Sequence, residues 1–201
     1  LSVLLPDTPY VAKTAIPVQG IVETGAALLL RELEADPRSV AIIFGTQTTI
    51  DAGAYPRLLQ ARGIEASRIV SQACPGLADT ISEDREGTKT RAEIERWVQT
   101  AIAKMARSDA RVVACLACTH YGYRKDVFED ALRSTVVNPN ERAVDALFEP
   151  GAALSHDVAV QFVTRYAIPQ ATIDALTFFL RDISPRTVAA MQNFVHAPDL
   201  F

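Results

Sequence analysis

Residues 111–121 read Arg-Val-Val-Ala-Cys-Leu-Ala-Cys-Thr-His-Tyr. Arg111 to Ala117 (RVVACLA) is apolar at successive positions after its arginine, so it predicts a strand buried on both faces. A strand of that kind belongs in a parallel sheet covered by helices on each side. It hands over to Cys118, Thr119 and His120, reactive and polar types placed where a strand gives way to a loop.

Outward from this stretch the same rhythm recurs. Ser39 to Phe44 (SVAIIF) predicts a second buried strand, ending in the hydroxyl-rich turn Gly45-Thr46-Gln47-Thr48-Thr49. Ala52 to Arg62 carries Ala54, Leu58 and Leu59 at helical spacing, with Gly63 as the stop. Arg68 to Ala73 is the next strand. Thr88 to Arg107 predicts a long amphipathic helix with Ile94, Trp97, Val98, Ala101 and Ile102 on one stripe. Val136 and Val137 begin a short strand before Asn138-Pro139-Asn140. Ala175 to Leu180 predicts a last strand, and Pro185 to Val195 a closing helix. Strands alternating with helices argue for an α/β fold with a mainly parallel sheet. Ligands of such sheets bind beyond the carboxyl ends of the strands, which singles out Gly45–Thr49 and Cys118–His120.

The 201 residues are 49% hydrophobic and 22% charged, an ordinary globular composition with room for one large or two small domains. The net charge of -4, without a block of Lys or Arg, argues against a nucleic-acid partner. No apolar run is long enough for a membrane span, and no basic-then-apolar leader opens the chain. The three cysteines, Cys74, Cys115 and Cys118, do not form a disulfide framework, so the expected compartment is a reducing cytoplasm.

Cys118 can serve as a base or nucleophile if an imidazolium or a helix N-terminus lowers its pKa. Its alternative is a strand-end cysteine acting as a small hydrophobe. His120 offers a proton or a positive charge, and Thr119 a hydroxyl and an N–H for a carboxylate. Thr46, Thr48 and Thr49, between a strand and a helix, suit a carboxylate or phosphate; the plainer alternative is a simple N-cap. Neither the Gly-Lys-Ser/Thr ending of a nucleotide loop nor a G-x-G-x-x-G after a strand is present. Cys115-Leu-Ala-Cys118 is formally a C-x-x-C. Strand geometry sets its two thiols on opposite faces, which weakens a redox pair or a zinc set with Cys74 and His120. Cys74-Pro75-Gly76 reads as a structural turn. His156 and His196 have no evident partners, and Asp79, Glu83, Asp84 and Glu86 form a solvated acidic stretch.

Leu116-Ala-Cys-Thr-His-Tyr121 resembles the L-G-C-T-H-Y signature of glutamate racemases in the aspartate/glutamate racemase superfamily. Ala15-Ile-Pro-Val-Gln-Gly-Ile-Val-Glu23, continued by Gly25-Ala26, resembles that family's I-P-V-x-G-V-V-E segment. Gly45-Thr46-x-x-Thr49-Ile50 with Ala54-Tyr55 is similar to its G-T-x-x-T-I…Y stretch, and Ala73-Cys74-Pro75 to its A-C-P turn. The likeness is dense from about Ala15 to Asn138 and looser beyond. It implies a cofactor-independent racemase of glutamate or aspartate, with two cysteines on opposite faces of the substrate Cα and no pyridoxal phosphate or metal. By resemblance Cys118 is one acid/base thiol, His120 assists it, and Thr119, Thr46 and Thr49 bind the substrate. A role in supplying D-glutamate to the bacterial cell wall, and assembly as a homodimer, come from the resemblance alone.

The resemblance also implies two similar α/β lobes with the site in the cleft between them. The first would hold residues 1–24 and 139–201, the second residues 25–138. The family's upstream A-C-N-T cysteine motif and its opening aspartate-serine-glycine motif are absent here, and Leu1 to Tyr10 reads as compressed pieces of family sequence. The first lobe is therefore expected to be incomplete, the full polypeptide containing stretches beyond these 201 residues. The acidic residue that the family places after its A-C-P turn falls near Ser82 and Glu83, and neither inherits a role. The alternatives are a non-catalytic or one-base relative that binds a small acidic amino acid, and an unrelated α/β protein with structural or metal-bound cysteines.

Overall fold

The computed structural model describes Lys13 and residues 20–107, 109–147 and 159–199, with the backbone alone for 144–147. The readings of Leu1–Tyr10, of positions 15–19 and of His156 lie outside these residues. Strand β1 (Val40–Gly45) is the centre, and all six of its residues are buried. Val40, Ile42 and Phe44 enter one core with Ile94, Val98 and Phe128. Ala41 and Ile43 enter the opposite core with Leu29, Leu33 and Leu59. Burial from both sides is why the run shows no polar alternation. With β2 (Ile69–Ala73), β3 (Val112–Leu116) and β4 (Thr135–Val137) it forms a parallel sheet in the order β2-β1-β3-β4. In register, Phe44 lies between Gln72 and Leu116. These are the four strands expected between residues 39 and 137.

Helices cover both faces. Helix α1 (Ile21–Ala35) buries Val22, Gly25, Ala26, Leu29 and Leu33, one stripe at helical spacing. A Cβ at Gly25 would stand 2.6 Å from the Tyr55 hydroxyl, so α1 reaches its neighbour only because this residue lacks one. From β1 the chain passes through α2 (Gln47–Ala52) and α3 (Ala54–Gln60), broken apart at Gly53 with φ +61°. Tyr55 and Leu59 of α3 pack on the α1 face. From β2 it crosses to the other face through α4 (Leu77–Glu83) and α5 (Thr88–Ile102), whose Leu77, Ile81, Ile94 and Val98 fill the opposite core. Helix α6 (Lys125–Leu132) stays on that second face, and α7 (Pro139–Leu147) follows β4 and packs on α1. The connections after β1 and β3 therefore leave toward opposite faces, and a crevice opens between the two strand ends.

The C-terminal part pairs β5 (Val163–Thr164) with β6 (Val195–His196) in a second, two-stranded parallel sheet. Between them lie α8 (Gln170–Leu180) and α9 (Pro185–Gln192), with α8 packed against α4. Among the described residues, no helix is long and apolar enough to cross a membrane.

Several expectations need correction. Ala175 to Leu180 is the end of a helix, not a strand. A short apolar run fits either element. Here Pro169 stands at the N-cap, Gln170 bonds Asp174 one turn on at 2.8 Å, and Ile173 is buried. In α3 the inward residues are Tyr55 and Leu59, four apart, whereas Leu58 is 37% exposed against 1% for Leu59. The helix expected to reach Arg107 ends at Ile102, itself exposed. Asp84 is not merely solvated. Burial would raise its carboxyl, but hydrogen bonds from Thr90 and Gly87 outweigh that and hold it below its ordinary value. The short strands β5 and β6 were not anticipated. His196 does have a partner, since its Nε2 lies 3.1 Å from the Arg165 carbonyl oxygen.

Two predictions test this core. Leu59→Ala should cost about 2–5 kcal/mol of stability and Leu58→Ala less than about 0.5, read by urea unfolding. Burial pushes the Cys115 and Cys74 thiols up to about 12 from an ordinary 9.0. Between those values the unfolded chain ionises these thiols and the folded chain does not, so stability falls as pH rises. The expected loss is about 1 kcal/mol per thiol per pH unit above 9, removed at each site by Cys→Ala.

Candidate active site

The crevice between β1 and β3 holds a cavity of about 150 Å³, the share of roughly five water molecules. Thr46 and Thr49 line its β1 side, Cys118 and Thr119 its β3 side, and Asn140 and Tyr55 close it. Thr46 caps α2 in extended conformation: its Oγ1 accepts from the Thr49 N–H at 3.3 Å and lies 3.0 Å from the Thr49 Oγ1. The two readings of these threonines therefore coincide, because the capping pair also faces the cavity. Thr48, between them, is exposed and does not line it.

Cys118 ends the β3 segment and begins a 3-10 helix, Thr119–Arg124. The start of that helix is fixed from below: Tyr121 is fully buried, and its hydroxyl donates to the Cys74 carbonyl at 3.2 Å. Cys74 is thus a structural residue under the site, its own thiol directed at the Gln72 carbonyl at 3.7 Å. Burial raises the Cys118 thiol, the backbone N–H groups of His120 and Tyr121 oppose the rise, and the charge of Asp79 adds to it. The net direction is upward. A lowered thiol pKa is not what this site produces. The helix start supplies stabilising N–H groups as expected, but half-burial beside a carboxylate outweighs them.

His120 is half-buried and does not line the cavity; its ring meets Tyr123 edge-on, with centroids 6.3 Å apart. The two thiols of the C-x-x-C part as expected. Cys115 is buried in the α1-side core with Tyr55, whereas Cys118 faces the cavity. Among the described residues, no group of three or more His, Cys, Asp and Glu side chains could hold a metal ion.

Sequence reasoning missed the third wall. Asn140 follows β4, its backbone N–H donating to Asn138 Oδ1 at 3.2 Å and its Nδ2 to the Thr119 carbonyl at 3.4 Å. Asn138 itself is buried against Gly122, where a Cβ would stand 2.6 Å from Asn138 Nδ2. The signal was available, since the rule that pointed to the ends of β1 and β3 applies equally to β4. Thr46→Ala should cost about 1 kcal/mol through loss of the cap, Thr46→Ser far less, and the exposed Thr48→Ala under about 0.5, measured by denaturant unfolding.

The 36%-identical relatives include the glutamate racemases of Ruegeria sp., over 48% of this chain and 35% of that protein, and of Dinoroseobacter shibae, over 50% and 36%. The Aquifex aeolicus glutamate racemase is 30% identical over 63% of this chain and 46% of its own length. The chain thus spans from about a third to a half of the length of these curated relatives. Among solved structures, the glutamate racemase of Francisella tularensis in complex with D-glutamate superposes with a TM-score of 0.65 at 19% identity, over 90% of this chain and 67% of that one. The Aquifex pyrophilus glutamate racemase gives 0.55 at 22% identity, over 87% and 63%. At these identities the likeness is one of fold, and it supports the α/β architecture. The family described as Asp/Glu/hydantoin racemase matches residues 11–147, most of the chain and every wall of the crevice, and the chain belongs to that family.

Proposed function

We propose that the chain supplies one catalytic half of a cofactor-independent amino-acid racemase that interconverts L- and D-glutamate, or L- and D-aspartate. One observation carries the reading: a cavity-facing thiol, Cys118, shares one crevice with the hydroxyls of Thr46, Thr49 and Thr119 and the amide of Asn140. The likeness to curated glutamate racemases at 36% identity favours glutamate as the substrate.

The chemistry follows from the residue types. The α-proton of an amino acid is a very weak acid, so its base must be close, aligned and desolvated. Burial makes the Cys118 thiolate a stronger base once formed. The α-ammonium of a bound substrate brings a positive charge that favours that thiolate. The thiolate takes the α-proton, and the C–H electron pair passes into the substrate carboxylate. The hydroxyl and amide donors of Thr46, Thr49, Thr119 and Asn140 hold that carboxylate as its charge grows. His120 assists proton transfer at Cys118. Inversion then needs a second thiol on the opposite face of Cα, and neither Cys74 nor Cys115 lines the cavity. On this reading residues 25–138 form one lobe and residues 1–24 with 139–201 belong to the other, the boundary falling in the first turn of α1. The implied partners are a small acidic amino acid and a second copy of the chain, in the cytoplasm, with D-glutamate destined for the cell wall.

The buried positions of Cys74 and Cys115 favour a second reading, a one-base relative that binds such an amino acid without inverting it. One experiment separates the two. The protein is incubated with each enantiomer of glutamate and aspartate in deuterated water, and the α-proton is followed by NMR. Wash-out with inversion identifies a racemase; wash-out from one enantiomer alone identifies the one-base relative. Both require exchange that Cys118→Ala abolishes and that drops about tenfold per pH unit below the raised thiol pKa, because the base form is lost. Exchange that survives Cys118→Ala, or no exchange from any of the four compounds, overturns the proposal.

A further inference from the structure

The segment that carries Cys118, Thr119 and His120 is anchored at both ends, and the second anchor lies outside the sheet. Tyr123, at the far end of the 3-10 helix, stacks on Phe179 of α8 with centroids 5.0 Å apart and an interplanar angle of 13°. Its other neighbour is His120, whose ring stands at 85° to it. Phe179 is also met by the Arg124 guanidinium, 4.8 Å from the ring centroid. Arg124 is in turn held by the backbone carbonyls of Asp84 and Arg85, each at 3.1 Å. It fits there because Gly87, at φ +82°, leaves the space: a Cβ at that position would stand 2.9 Å from the guanidinium. Phe179 itself packs on the core beneath the site.

These contacts form one continuous column, from Arg124 through Phe179 and Tyr123 to His120. Aromatic pairs at such separations have preferred orientations and so transmit direction as well as proximity. Among the described residues the His120 ring has one aromatic partner, Tyr123, and it does not line the cavity. We propose that Tyr123 and Phe179 are positioning residues: α8 holds Tyr123, and Tyr123 sets the orientation of the His120 imidazole. This rests on the reading given under Proposed function for what His120 does, but not for where it is held.

The test uses the whole chain and two readouts. The ring protons of His120 are assigned among the three histidines by His→Gln substitution and followed by NMR without substrate. In the unaltered protein they should carry the ring-current shift of a neighbouring aromatic face. Tyr123→Leu should abolish that shift, Phe179→Leu should reduce it, and Tyr123→Phe and Phe179→Tyr should retain it. α-Proton exchange should follow the same order, with kcat falling about 10–100-fold in the two leucine variants and KM little changed. A variant that only loosened the fold would not be rescued by aromatic identity. His120 shifts that are the same in Tyr123→Leu as in the unaltered protein overturn the proposal, and the tyrosine pair decides the matter if Phe179→Leu does not fold. Absence of exchange in the unaltered protein counts against the racemase reading alone, because the substrate-free shifts test the column independently.

Discussion

The site depends on β1 and β3 lying side by side while their following segments turn to opposite faces of the sheet. Parallel strands end together at one edge, and the chain needs a crossover to return. Where two neighbouring crossovers part, neither fills the space between the strand ends. Among the described residues the candidate thiol and hydroxyls meet in that gap. Thr46 and Thr49 come from one departing segment, and Cys118 and Thr119 from the other. The tight sheet core below, with Phe44 in register between Gln72 and Leu116, fixes how far apart the two groups stand.

Much of this was legible in the sequence because the controlling pattern is local. SVAIIF and RVVACLA announce two-sided burial by themselves, and their ends name the crevice. The separation of Cys115 from Cys118 also followed, from the twofold alternation of a strand. What stayed hidden depends on tertiary neighbours. ALTFFL satisfies a strand pattern as well as a helical one, and its helical state rests on Pro169 and on the docking of Phe179 against Tyr123, 56 residues away in sequence by their numbering. Leu58 and Leu59 are chemically alike, and only the path of α1 decides which is buried. The direction of the Cys118 pKa could not be read from neighbouring residue types, since burial and Asp79 enter through the fold.

The residues beneath the cavity are specialised for support. Tyr121 spends its hydroxyl on the Cys74 carbonyl, and Tyr55 shares the opposite core with Cys115. Two cysteines that look reactive in the sequence are thereby part of the floor and wall. The remaining thiol is the one at the strand end, on the wall of the cavity. Position along the strand, rather than residue type, separates the inert cysteines from the accessible one.

The Thr46–Thr49 pair sets a limit on what the β1 wall can give a ligand. Two hydroxyls carry two hydrogens. One is committed to the bridge between the oxygens, and the Thr49 N–H is already committed to Thr46. From this threonine pair a carboxylate therefore finds a single free O–H, alongside the first N–H groups of α2, which have no partner within the helix. On the proposed reading the pair contributes one hydroxyl hydrogen to a bound acid, and a second hydroxyl contact is left to Thr119 on the β3 side.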